Sequence, residues 1–190
     1  VCSSDLPEIM FTIFKKKRLT EDQLANFFVN SLIQMVEDGF TDVTEIINSD
    51  PEFERSPNMT SEDSDMFLLV VIAGNLKFLS QNIEATKDVR IIEKIYRKLA
   101  NVLGVDPLVL KESISKYQSW MSRINHPSKN THYAMSKGVF FKYDLNRFQS
   151  EYFRNMNTPN PIFLKRLDEI VAQFLFDWDQ IKDNYRIVED

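Results

Sequence analysis

The residues whose types could do chemistry concentrate first in the segment FFKYDLNRFQSEYFRNMNTPNP, Phe140 to Pro161. It interleaves Phe140, Phe141, Tyr143, Phe148, Tyr152 and Phe153 with Lys142, Arg147 and Arg154. Bases stack on aromatic faces while cations hold phosphates, so the composition would suit single-stranded nucleic acid. Two observations argue against that use. Leu145, Phe148, Tyr152, Phe153 and Met156 recur on one helical face, which is core spacing. The chain also carries 28 acidic against 23 basic residues, where a nucleic-acid domain should be basic. The segment therefore reads first as core and next as a protein-binding surface, with Lys142, Tyr143, Arg147, Tyr152 and Arg154 as the binding candidates.

Metal and acid–base chemistry find less support. His126 and His132 are the chain's two histidines, separated by a proline-containing stretch, and they lack the i, i+4 spacing that sets two imidazoles on one helical face. They read as ordinary loop or helix-start residues, and no metal is expected. Asp168, Glu169, Asp177, Asp179 and Asp183 lie mostly off the apolar seam of the last expected helix, as a solvated face would. A di-metal bundle would want Glu-x-x-His pairs projecting inward, and neither histidine follows a glutamate at that spacing. With four glycines in all, the chain shows no phosphate loop or dinucleotide fingerprint. No context nominates a serine or threonine nucleophile, and no cofactor is expected.

The N-terminal stretch carries the remaining signal. Met10, Phe11, Ile13 and Phe14 stand beside Lys15, Lys16, Lys17 and Arg18, four cations that could touch an anionic membrane surface at about 1 kcal/mol each. The order is wrong for a secretory signal, in which charge precedes the apolar stretch. Residues 1 to 6, VCSSDL, read as the translated end of a sequencing adapter, so residues 1–9 are expected to be a non-native leader with translation starting at Met10. Without that leader, the loss of Asp5 and Glu8 leaves 26 acidic residues against 23 basic ones, a net charge of −3 instead of −5. The single cysteine, Cys2, goes with it, and with it thiolate and Cys-metal chemistry.

The elements that must position these residues are helical by periodicity. Thr20 and Gln23 form a capping-box pattern ahead of Leu24, Phe27, Phe28, Leu32, Met35 and Val36, and Gly39 reads as a left-handed stop. A short second helix is expected from Asp42 to Asp50, then a loop over Pro51–Asp65 leading into a third helix that Thr60 or Ser61 can cap. The helix from Met66 to Leu79 is apolar on most sides and belongs in the centre of a bundle, with Gly74 admitting a close neighbour. Its run Met66–Ala73 is cut by Gly74, Asn75 and Lys77, well short of the roughly 20 residues a bilayer needs.

Further helices are expected over 88–103 with the stripe Ile91, Ile92, Ile95, Tyr96, Leu99 and Val102 and a Gly104 stop, and from Asp106–Pro107 onward, with Ile114, Tyr117, Trp120, Met121 and Ile124 buried. Two more, 131–142 and 144–156, could be one kinked helix. A last long helix opens at Asn160–Pro161, with Leu164, Leu167, Val171, Phe174, Trp178, Ile181 and Tyr185 as a heptad-like seam. No alternation argues for a sheet. The fold class is thus all-α, a multi-helix bundle of about six to eight helices: a basic tail at 10–19, then one domain over 20–190 with a seam near 126–132.

Function follows by exclusion. The chain is expected to be a cytoplasmic, non-enzymatic helical module that binds another protein, with nucleic acid disfavoured. One alternative is an enzyme or ligand-binding bundle whose pocket is assembled from residues distant in sequence. A second is peripheral membrane association through Lys15–Arg18.

Overall fold

The structure, a computed structural model, describes residues 16–190. The leader at 1–9 and the tail residues up to Lys15 lie outside the described residues. Six helices of eleven or more residues carry an all-α bundle: α1 (Glu21–Ser49), α2 (Ser64–Asn82), α3 (Ala85–Leu103), α4 (Pro107–Ile124), α5 (Thr131–Lys142) and, after the short α6 (Glu151–Met156), α7 (Pro161–Val171). The short α8 (Trp178–Asn184) follows, and β1 (Lys17–Thr20) pairs in parallel with β2 (Tyr185–Val188). No helix among the described residues is long and apolar enough to cross a membrane.

Capping chemistry sets most helix starts. Thr20 Oγ1 accepts from Gln23 N while Gln23 Oε1 accepts from Thr20 N, the reciprocal box that satisfies two otherwise orphaned donors. Asp106 Oδ1 caps α4 with Pro107 at its first position. Asn130 and Asn160 cap α5 and α7. Gly104 closes α3 at φ +66°, where a side chain would be strained.

Gly39 is not a stop. The expected short second helix is the second half of α1, which runs unbroken through Gly39 to Ser49. The glycine is needed for approach: a Cβ there would lie 2.9 Å from Phe174 Cζ. Gly74 does admit its neighbour as expected, with Met135 seated where a Cβ would be. On α2, residues 70–76 are buried throughout, the central position its all-round apolar sequence requires. On α3 the expected stripe holds for Ile91, Ile95, Tyr96 and Leu99, while Val102 is exposed.

Three departures lie in the C-terminal third and at the N-terminus. The 144–156 stretch is neither one helix nor a continuation of α5: Asp144 turns left-handed at φ 50°, Leu145–Phe148 forms a 3-10 turn that buries both ends, and α6 follows. The long last helix stops at Val171. A 3-10 turn over Ala172–Phe174 and extended Leu175 separate it from α8, which Asp177 caps through Gln180 N. The cause is the spacing of Phe174, Phe176 and Trp178. Successive helical residues turn by about 100°, so Phe176 would point away from the other two on one continuous helix, whereas the break buries all three. Residues 17–19 of the expected basic tail, together with Thr20, form β1, in register from Lys17 opposite Tyr185 to Thr20 opposite Val188. That small sheet went unforeseen because its strands join the two ends of the described chain and have no hairpin turn to announce them.

Two bidentate ion pairs tie remote elements. Arg166 of α7 grips Asp50, whose side chain is 1% exposed, through two 2.7 Å bonds, and Arg90 of α3 grips Glu21, 2% exposed. Planar guanidinium matches carboxylate in this way.

Candidate functional site

The five binding candidates from the sequence do not converge. Lys142 Nζ lies 4.1 Å from the ring centre of Tyr117 and 4.8 Å from that of Trp120, a cation over two faces of α4. Tyr143 is buried, its hydroxyl donating to Asp63 O, and burial pushes the phenol well above its ordinary pKa. Arg147 covers the Phe148 ring at 4.7 Å. Arg154 donates to Gln149 O and pairs with Glu54 Oε2 at 3.3 Å. Tyr152 is exposed, edge-on to Phe153. Of the basic quartet, Lys16, Lys17 and Arg18 are exposed, with Lys16 Nζ donating to Lys182 O, and Lys15 lies outside the described residues.

His132 and Asp168 meet in a cluster that spacing could not reveal. Ser136 Oγ donates to Asp168 Oδ1 at 2.7 Å, and His132 Nε2 lies 2.6 Å from Asp168 O and 3.3 Å from its carboxylate. The residue types suggest a nucleophile triad, but a triad requires the hydroxyl to reach the imidazole. Here the serine is fully buried and turned to the aspartate, so the group is a tie between α5 and α7. Among the described residues no three His, Cys, Asp or Glu side chains gather as a metal site.

Two concave surfaces lie elsewhere. A mixed cleft of about 480 Å³ between α2, α3 and α4 sets Ser115, Ser122 and Lys77 beside Leu76, Ile92 and Tyr96, with Lys77 Nζ donating to Ser122 Oγ and Lys111 turned to Glu93. A groove of about 770 Å³ runs between α1 and the break before α8.

The groove is built from one stripe of α1. Phe27, Ser31, Gln34, Met35, Asp38 and Asp42 recur at three- and four-residue spacing, which stacks them along one face over about 22 Å at 1.5 Å per residue. Gln173, Leu175, Asp177 and Gln180 form the facing wall. Phe174 and Phe176 close the floor, the former filling the space above Gly39. Phe27 is 47% exposed although its ring meets Phe176 edge-on at 5.6 Å, so a large apolar side chain stays available at one end.

Charge gives the groove its character. α1 carries Glu21, Asp22, Glu37, Asp38, Asp42 and Glu45 and no lysine, arginine or histidine. Glu21 and Asp22 are paired, with Arg90 and Lys98. Among the described residues Glu37, Asp38, Asp42 and Glu45 have no ion-pair partner, and no cation lines the groove. Asp38 accepts from Gln34 Nε2 at 2.8 Å, and Asp177 is engaged as the α8 cap. The arrangement can accept an apolar stripe while attracting positive charge to its edges.

Sequence reasoning missed this groove because it needs the break at 172–177. Two signals pointed to it: the absence of any cation across α1, and the alternation of Phe174, Phe176 and Trp178. Compared with family models, with curated proteins and with solved structures, the chain matches none of them.

Proposed function

We propose that the protein is a non-enzymatic interaction module that binds another protein through the groove between α1 and the 173–180 segment, working in the cytoplasm as its cysteine-poor sequence suggests. The observation that carries this reading is the pairing of an apolar surface, exposed Phe27 with half-buried Met35 and Leu175, with a rim of carboxylates and amides. An apolar centre with a polar margin is the anatomy of a protein interface. The cleft at Ser115 and Ser122 has no apolar side chain as exposed as Phe27, and the Ser136 cluster is closed to substrate.

The test is position-specific crosslinking in extract from the native source. A photoreactive residue at Gln34, inside the groove, is expected to capture a defined partner, and the same residue at Lys116, exposed on α4, is not. The captured protein is then purified, and Phe27→Ser is expected to weaken its direct binding at least tenfold. Equal capture at the two positions, or none at Gln34, removes the reading.

A further inference from the structure

We propose that the partner segment seated in this groove is an α-helix of about four turns, with an apolar stripe flanked on both sides by Lys or Arg. The inference rests on the protein-binding reading above and adds the chemistry of the occupant.

Length, backbone and charge each constrain that occupant. The α1 stripe from Phe27 to Asp42 spans about 22 Å, the length of about 15 helical residues. Strand addition is disfavoured because it needs free backbone groups at an edge. Here α1 satisfies its own backbone, and the extended stretch is committed: Asn75 Nδ2 donates to Phe174 O, Leu175 N to Ala172 O, and Phe176 N to Asn75 Oδ1. Among the described residues only Leu175 O and Asp177 N of that stretch lack a partner, too few for a strand ladder, so the walls offer mainly side chains, which is what a docked helix reads. Asp38 and Asp42 line one wall, Asp177 the other, and Glu37 and Glu45 extend the negative face of α1 beyond the lining. Cations on both flanks of the helix would meet a carboxylate on each side, and its apolar stripe would cover Phe27, Met35 and Leu175. Anionic flanks would meet like charge with no compensating cation in the lining.

The test uses three synthetic peptides of about 15 residues that share one leucine stripe at helical spacing and differ only in flanking Lys, Gln or Glu. Each is titrated into the full chain by calorimetry and by NMR with assigned resonances. The Lys peptide is expected to bind most tightly, to shift signals of Phe27, Met35 and Leu175, and to weaken steeply between about 0.01 M and about 0.15 M salt, over which the screening length falls from about 30 Å to about 8 Å. Asp38→Asn with Asp42→Asn should weaken the Lys peptide about tenfold and leave the Gln peptide unchanged. Glu151→Gln, on α6, should change neither.

Equal binding of the Lys and Gln peptides in the groove overturns the charge requirement while leaving a protein-binding groove. Binding of the Lys peptide that shifts other regions, or that Glu151→Gln weakens as much, overturns the inference as general attraction to an acidic protein. If no peptide binds but the Gln34 crosslink recovers a partner, the helical occupant is wrong and the protein-binding reading stands. Self-association in sedimentation that Phe27→Ser abolishes assigns the groove to a second copy of this chain and overturns the inference too.

Discussion

Asn75 is a buried amide whose polar atoms are all engaged. Its Nδ2 donates to Val71 O and Phe174 O, and its Oδ1 accepts from Phe176 N. In the sequence it serves only to interrupt an apolar run together with Gly74 and Lys77. In the fold it meets the backbone groups that the end of the last long helix leaves orphaned. Nothing local in the sequence connects positions 75 and 174–176, so this role was illegible, whereas Gly74, one residue earlier, was legible because close approach is a property of glycine itself. Leaving a buried backbone group unpaired costs about 1–3 kcal/mol. Asn75→Leu, alike in branching but bulkier, strands Phe174 O and Phe176 N and is expected to lower stability by about 3 kcal/mol or more, read from urea unfolding at unchanged m-value. A loss under about 1 kcal/mol would mean that the break stands without the amide.

At the scale of elements, a residue read for its conformational habit was chosen for its size. Gly39 looked like a helix terminator, yet it sits within α1 and leaves room for Phe174, which is itself held edge-on by Phe67 at 4.7 Å. Alanine gains about 1 kcal/mol of helix propensity over glycine, but overpacking a filled site costs about 1–3 kcal/mol. Because Phe174 is boxed in, Gly39→Ala is expected to destabilise by about 1 kcal/mol; a gain in thermal midpoint would show that the ring can move aside. The clasp at the ends of the described chain gives a pH-dependent prediction. Asp190 accepts from Lys94 Nζ and from Asp22 N, and these bonds hold its carboxyl down to about 2, below the ordinary value of 3.8. A carboxyl depressed on folding stabilises above its unfolded pKa and loses that contribution as pH falls through the folded one. Asp190→Asn should therefore lower the urea midpoint at about pH 7, with the difference from the native chain shrinking below about pH 4 and vanishing near about pH 2. A difference independent of pH would assign the effect to packing instead.

The whole molecule separates what one sequence displays from what only folding assembles. Helix class, the capped starts at Thr20, Asp106 and Asn160, and the central place of α2 were readable because caps and periodicity act within a turn or two. The groove was not, because it joins residues near 27–42 to residues near 173–180. Its electrostatics make a final prediction in which stability and binding move apart. Asp38 and Asp42 stand one turn apart with like charge, a pairing that costs an exposed helix about 0.2–0.5 kcal/mol. Asp42 also lies in the C-terminal third of α1, where the helix dipole favours cations, although that effect fades beyond the last turn. Asp42→Lys converts the repulsion into an attraction between Asp38 and the introduced ammonium at i, i+4 spacing, with the acid N-terminal as that geometry prefers. The variant should unfold at an equal or slightly higher temperature at low salt, by up to about 0.5 kcal/mol, yet bind the Lys-flanked peptide at least tenfold more weakly. If stability rises and binding is unchanged, the carboxylate is ordinary solvated surface. If both fall together, the substitution has disturbed α1 itself, and circular dichroism will show the lost helix.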